Sequence, residues 1–187
     1  PDGTSINNHI YTKDIIDHVD ILGPVNPNIY EEFIDFMDND LVGNGIINEW
    51  KAAPYDWRLS LEDILASGND IGNGKVSYLI PTSTPYIKQE LKRLAQTSRN
   101  GKVTIIAHSN GGLLAKMLLK QLEDTGDPLL EKIDRLILVA SPQLGTPQTI
   151  VELLHGGNPG LFESIILNTS ERKRFTENMP SAYPLLP

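Results

Sequence analysis

The sequence contains no cysteine among its 187 residues, which excludes a disulfide framework, a thiolate metal site and a cysteine nucleophile. It also has no excess of basic residues, because 16 Lys and Arg against 24 Asp and Glu give a net charge of −8. Nucleic acid or an anionic membrane surface would repel such a chain, so neither is an expected partner. Nothing in the sequence indicates a cofactor or a metal site.

Long hydrophobic runs are absent as well. No segment approaches the ~18 consecutive apolar residues of a membrane span, so no integral membrane segment is expected. Hydrophobic residues make up 40% of the chain and charged residues 21%, which is typical of one globular domain with a real core. The chain is expected to be soluble; the bacterial cytoplasm and secretion both stay open, as does the oligomeric state.

The N-terminal part contains two helical patterns. Ile15, Ile16 and Val19 predict a short helix, and apolar side chains with helical spacing over residues 30–37 predict a second one. Gly-Asn-Gly at residues 43–45 is expected to end it.

Residues 46–53 predict a short strand that ends before a proline. Ser60 and Asp63 resemble a capping box, which predicts a helix starting near Leu61. The glycine-rich residues 68–74 predict a loop or a helix end.

The pattern becomes regular in the second half of the chain. Apolar faces at 87–95 and 111–122 predict helices, and the apolar runs 103–107 and 136–140 predict strands. Strands of this kind are buried on both faces in parallel sheets. Helix and strand alternating through short loops predicts an α/β fold with right-handed crossovers.

The segment over residues 103–112 reads Val-Thr-Ile-Ile-Ala-His-Ser-Asn-Gly-Gly and resembles a nucleophile elbow. In that motif a serine on a sharp strand-to-helix turn is flanked, two positions away on each side, by small residues. Here these residues are Ala107 and Gly111, and the serine is Ser109. The helix N-terminus stabilises negative charge, and the backbone N–H of Asn110 is the expected oxyanion donor. The alternative role for Ser109 is a hydroxyl that caps the following helix.

His108 is next to the serine but is not expected to act as its base. Neighbouring side chains at a tight turn point apart, so the imidazole would not reach the serine oxygen. His108 is therefore predicted to pack or hydrogen-bond within the elbow.

Three further segments carry a family resemblance. They read Pro-Tyr-Asp-Trp-Arg over residues 54–58, Ser-Pro-Gln-Leu-Gly-Thr-Pro over 141–147 and Met-Pro-Ser-Ala-Tyr-Pro-Leu-Leu-Pro over 179–187. With the elbow, they are similar to the motifs of the lecithin:cholesterol acyltransferase-like and related bacterial lipases of the α/β-hydrolase superfamily. The four motifs occur in the family's order, whereas residues 1–53 show only a weak similarity to the family.

The resemblance implies an α/β-hydrolase fold, a mostly parallel sheet flanked by helices. Residues 1–147 would be a partial core and 148–187 a lid or cap over the site. The implied activity is hydrolysis of carboxylic esters of lipid-like substrates through an acyl-enzyme on Ser109. O-acyl transfer to an alcohol is a close variant, and a non-catalytic, degenerate hydrolase domain used for binding is the alternative. Apolar lid residues suited either to lipid or to lid packing are Ile150, Val151, Leu153, Leu154, Leu161, Phe162, Ile165 and Ile166.

The supporting motifs have expected structural roles. Tyr55, Asp56, Trp57 and Arg58 are expected to form a corner near the site, with Arg58 paired to a carboxylate and Trp57 packed close by. Gly145 lies in a turn after a strand and is expected to shape the pocket wall.

The sequence offers no clear partners for a catalytic triad. An α/β-hydrolase triad runs serine, acid, histidine along the chain, and the only histidine after Ser109 is His155. Asp134 precedes the strand at the sheet end opposite the serine, about 16 Å away at ~3.3 Å per residue. Glu152 could meet His155, but the resemblance implies an acid and a histidine beyond residue 187 and an oxyanion segment before residue 1. The chain is therefore expected to be the middle of a larger enzyme. The carboxylates between Ser109 and His155 are Glu123, Asp124, Asp127, Glu131, Asp134 and Glu152.

Overall fold

The computed structural model describes residues 9–15, 29–156 and 169–187, which combine helices with two small sheets. The elements are α1 (Glu31–Asp35), α2 (Leu61–Ala66), β1 (Ser67–Asp70), β2 (Val76–Pro81), α3 (Tyr86–Thr97), β3 (Val103–His108), α4 (Asn110–Thr125), β4 (Ile133–Val139), α5 (Pro147–His155) and α6 (Thr169–Glu177). A π-helix, Phe36–Val42, follows α1, and 3₁₀ turns cover Pro128–Lys132 and Pro180–Leu185.

Strands β3 and β4 form the predicted parallel pair, joined by the crossover helix α4. In the described residues the mostly parallel sheet consists of this one pair, because β1 and β2 are antiparallel. Strand β4 begins earlier than predicted, so Asp134 lies inside it instead of before it. Val103 pairs with Ile133 and His108 with Val139, which leaves Asp134 at the end away from the elbow.

The expectation that β3 and β4 are buried on both faces is wrong. Their inner face, which includes Ala107 at 7% exposure, packs against α4. On the outer face Ile106, Ile137 and Val139 remain 42%, 45% and 45% exposed. A run of apolar β-branched residues marks a strand but does not tell how many of its faces are covered.

The glycine-rich residues 68–74 contribute to a β-hairpin, which the sequence did not predict. Asn69 pairs with Ser77 and Asp70 with Val76, and the connecting turn contains Asn73 at φ 54 between two glycines of positive φ. Strand β1 reads Ser-Gly-Asn-Asp and lacks the β-branched residues that signal a strand, so its pairing depends on β2.

The strand predicted over residues 46–53 is not formed. Side chains of this segment bond to α3 instead of forming a backbone ladder. Glu49 forms an ion pair with Arg93 at 2.7 Å, and Asn48 Nδ2 donates to the carbonyl of Thr97 at 2.6 Å. These contacts hold the segment in an irregular path.

The core forms where α2, α3 and α4 face the sheets. Helix α2 begins at Leu61 as predicted, and the backbone N–H of Asp63 donates to Ser60 Oγ at 3.1 Å. The predicted apolar faces of α3 and α4 are confirmed, since Leu91, Leu118 and Leu122 belong to the buried cluster. Burial of these faces stabilises helices that would be marginal in isolation.

Of the two helices predicted in the N-terminal part, the described residues show the second one. The helix predicted over residues 30–37 begins at Glu31, and α1 continues as the π-helix that ends at Val42, before Gly43. Met37 is the buried residue of that stretch. Ile15 is described and is not helical, whereas Ile16 and Val19 lie outside the described residues. The apolar residues between positions 161 and 166 also lie outside them.

Candidate active site

Ser109 joins the end of β3 to the start of α4 through a strained backbone. Its φ of 52° and ψ of −128° are a conformation that residues with a side chain rarely adopt. Such a residue costs about 1–3 kcal/mol and persists only when its surroundings enforce it. Here the Ser109 N–H donates to the Val139 carbonyl at 2.9 Å, and the Ser109 carbonyl accepts from Gly112 at 3.0 Å. These bonds fix a sharp strand-to-helix turn.

Within the described ranges, the hydroxyl of Ser109 makes no structural hydrogen bond. The residue is exposed and occupies the N-cap position of α4 without a side-chain capping bond, so the capping alternative is wrong. Among the residues described, none hydrogen-bonds with its Oγ. The oxygen therefore stands at the N-terminus of a 16-residue helix, where the helix dipole favours negative charge.

The packing around the elbow leaves less space at Gly112 than at Gly111. A Cβ at Gly112 would overlap Ser141 Oγ, and it would lie 2.6 Å from Ser141 Cβ and 3.0 Å from Leu138 Cδ2. A Cβ at Gly111 would meet only Tyr55 Oη, at 3.8 Å. Sequence reasoning selected Gly111 and missed Gly112, although the Gly-Gly pair signalled a close approach of backbone and neighbour.

His108 faces away from the core on the outer face of β3, where it contacts Tyr30. Tyr30 Oη and His108 Nδ1 are hydrogen-bonded at 2.6 Å, and the two rings meet edge to face with centroids 5.7 Å apart. The contact joins residues 78 positions apart, and no local pattern in the sequence could have revealed Tyr30.

Tyr55 brings its side chain to the same turn. It is half-buried, and burial, with a smaller contribution from Tyr30, raises the pKa of Tyr55 to about 12. The phenol is therefore a neutral O–H donor at ordinary pH. Nothing in the described part of the chain hydrogen-bonds with this hydroxyl.

Asp56 and Arg58 form the ion pair that was expected of this corner. Arg58 Nε and Nη2 donate to the two carboxylate oxygens of Asp56 at 2.8 and 2.5 Å. The hydrogen bond raises the pKa of Arg58 above its already high ordinary value. Trp57 is 53% exposed, and its ring contacts Phe175 of α6 with centroids 6.1 Å apart. The corner thus connects the strained turn with the C-terminal part of the chain.

Replacing Asp56 by asparagine is expected to lower the free energy of unfolding by about 1–3 kcal/mol, measured by urea denaturation. Asp56 is only 8% exposed, so the loss of its charge leaves the guanidinium without its carboxylate. The control is Asp124→Asn, whose partner Lys120 is exposed and whose loss should change stability by less than about 0.5 kcal/mol. Equal effects of the two substitutions would contradict a structural role for the Asp56 pair.

Gly145 lies where the loop over residues 141–147 meets the C-terminal segment. It has a φ of 73°, and a Cβ there would overlap the carbonyl of Leu186. The neighbouring Thr146 N–H donates to the Leu185 carbonyl at 2.7 Å. Two of the motifs that carried the family resemblance are therefore in contact. Two side-chain oxygens, Asn110 Oδ1 and Ser141 Oγ, are enclosed without a partner in the described structure.

The structure does not bring a triad together within residues 9–15, 29–156 and 169–187. His155 is the last residue of α5, and no side chain of the described ranges bonds to Ser109. In the same ranges there is no group of three His, Asp or Glu that could hold a metal ion. No helix there has the length and apolar character needed to cross a bilayer.

Comparison with known proteins agrees with the geometry. The family model described as lecithin:cholesterol acyltransferase matches residues 15–187, which is most of the chain. No curated protein and no solved structure matches. The family has the α/β-hydrolase fold, and its name points to acyl transfer or ester cleavage on lipids. On this match the chain belongs to the lecithin:cholesterol acyltransferase family.

Proposed function

We propose that Ser109 is the nucleophile of an acyl-transfer reaction on a carboxylic ester of a lipid. The observation that supports this proposal is the strained turn at Ser109. It holds an exposed hydroxyl, which makes no hydrogen bond within the described residues, at the N-terminus of α4. Backbone strain of this kind clusters at active sites.

In the proposed reaction Ser109 Oγ attacks the ester carbonyl carbon, and the π electrons of the carbonyl move onto its oxygen. The N–H of Asn110 stabilises that oxyanion. The proton of Oγ passes to an imidazole base and returns to the departing alkoxide as the ester C–O bond breaks. Water then hydrolyses the acyl-enzyme, or a second alcohol accepts the acyl group. Hydrolysis and O-acyl transfer share every step up to this choice.

We propose that the base and its acid lie outside the described residues. His108 is hydrogen-bonded to Tyr30, and Asp134 lies at the far end of β4. In the described ranges no imidazole or carboxylate bonds to Ser109 Oγ. A complete triad needs a histidine within hydrogen-bond reach of that oxygen.

Residues 148–187 are proposed to cover the site as a lid or cap, with residues 1–147 as the hydrolase core. The contacts of Leu185 with Thr146 and of Phe175 with Trp57 support this placement. Apolar side chains on α5, including Leu154 at 58% exposure, give the segment a surface compatible with an acyl chain.

The test is covalent labelling of the full-length protein with a fluorophosphonate, followed by mass spectrometry of the peptides. We expect a single adduct on Ser109, because the probe reacts with an activated serine and not with ordinary hydroxyls. Heat-denatured protein serves as the control and should not be labelled. Absence of an adduct on native Ser109 would contradict the enzyme proposal and favour a non-catalytic binding domain.

A further inference from the structure

Tyr55 places a hydroxyl beside the first turn of α4, where the proposed oxyanion donor lies. Its Oη is 3.8 Å from the position that a Cβ would take at Gly111, the residue after Asn110. The hydroxyl therefore lies beside the residue that follows the proposed oxyanion donor.

Two features restrict the movement of Tyr55. The ring is half-buried, and the next residue, Asp56, is fastened by the two hydrogen bonds from Arg58. A group that is held before the substrate arrives loses little entropy on binding, which makes it an effective donor.

The Tyr55 hydroxyl has no partner of its own in the described residues. Tyr78 provides the contrast, because its buried hydroxyl donates to the Pro54 carbonyl at 2.8 Å. The Tyr55 oxygen is also not among the fully enclosed polar atoms without a partner, which are Asn110 Oδ1 and Ser141 Oγ. It is thus a donor that solvent reaches and that a bound molecule can take over. Burial raises the pKa of Tyr55 to about 12, so the proton stays on the oxygen across the working pH range.

We propose that Tyr55 Oη donates a hydrogen bond to the ester carbonyl oxygen as it becomes negative, alongside the N–H of Asn110. This inference rests on the proposed function of Ser109. The phenol keeps its proton throughout: no bond to it breaks, and the oxyanion accepts one hydrogen bond more than it would without Tyr55. Tyr55 is then a catalytic residue of the site in addition to a corner residue of the fold.

The experiment compares Tyr55→Phe with Tyr78→Phe in the full-length protein, with p-nitrophenyl butyrate as substrate. Tyr55→Phe should lower kcat on the order of 100-fold with little change in KM, because the bond forms mainly in the transition state. Its unfolding midpoint should match that of the wild type, since the hydroxyl has no partner to lose among the described residues. Tyr78→Phe should show the reverse: a lower unfolding midpoint, because the Pro54 carbonyl loses its donor, with kcat retained in the folded protein.

The possible results separate the role of Tyr55 from the proposed function of Ser109. If wild-type Ser109 is labelled by the fluorophosphonate and Tyr55→Phe keeps its kcat, the role of Tyr55 is overturned while the proposed function stands. If wild-type protein is neither labelled nor active, the proposed function and the role of Tyr55 are both overturned. A Tyr55→Phe protein that unfolds as readily as Tyr78→Phe would reveal a structural partner for the hydroxyl and would also overturn the inference.

Discussion

Replacement of Ser109 by alanine should lower kcat of the full-length protein for p-nitrophenyl butyrate on the order of 10⁶-fold. The oxygen that attacks the carbonyl is lost, and water cannot substitute for it without the acyl-enzyme step. The fold should survive, because the Ser109 hydroxyl makes no hydrogen bond within the described residues and the backbone bonds at this position remain. Initial-rate kinetics and thermal unfolding of the same preparations measure the two effects separately.

The matched control is Ser98→Ala. Ser98 lies just after α3, and its hydroxyl bonds to Asn100 on the exposed surface. Its removal should leave kcat within a factor of about two, as expected for surface substitutions away from the site. Full activity in Ser109→Ala would show that another group is the nucleophile and would remove the basis of the proposed mechanism.

Replacement of Gly112 by alanine is expected to be the most damaging small change to the fold near the site. The new methyl group would lie 2.6 Å from Ser141 Cβ and 3.0 Å from Leu138 Cδ2, so α4 and β4 must separate to admit it. Overpacking of this kind costs about 1–3 kcal/mol, and the better helix propensity of alanine offsets less than about 1 kcal/mol of it. With a net loss of about 2 kcal/mol, the unfolding midpoint should fall by ~4–8 °C.

The neighbouring glycine supplies the control. A methyl group at Gly111 would have only Tyr55 Oη nearby, at 3.8 Å, which is an ordinary van der Waals distance. Gly111→Ala should therefore leave the unfolding midpoint unchanged or raise it slightly through helix propensity. Equal destabilisation by the two substitutions, measured by differential scanning calorimetry, would mean that the helix start and not the contact with Ser141 controls stability here.

The parts of the fold predicted correctly are those whose pattern is local. Periodic apolar residues located α3 and α4, and the β-branched run located β3, because one helix turn or one strand pleat repeats within a few residues. Ser60 identified the start of α2 through a bond to a residue only three positions away. The elbow around Ser109 is local in the same sense.

The parts that were missed depend on distant contacts. The path of residues 46–53 is set by ion pairing of Glu49 with Arg93, 44 positions along the chain. The partner of His108 is Tyr30, and the tight contact of Gly112 is with Ser141 on another element. The burial of a sheet face likewise depends on the elements that pack against it, and the sequence of the strand alone does not reveal them.

The strained backbone at Ser109 also bears on how this sequence can drift under natural selection. Glycine adopts a φ of 52° at no steric cost, so a glycine at this position would relieve about 1–3 kcal/mol of strain. A lineage with no use for the hydroxyl would gain part of that stability by a single substitution, less the ~0.5–1 kcal/mol of conformational entropy that glycine loses on folding. Serine at position 109 thus carries a backbone cost that glycine would reduce, and the hydroxyl is the group that glycine would lack.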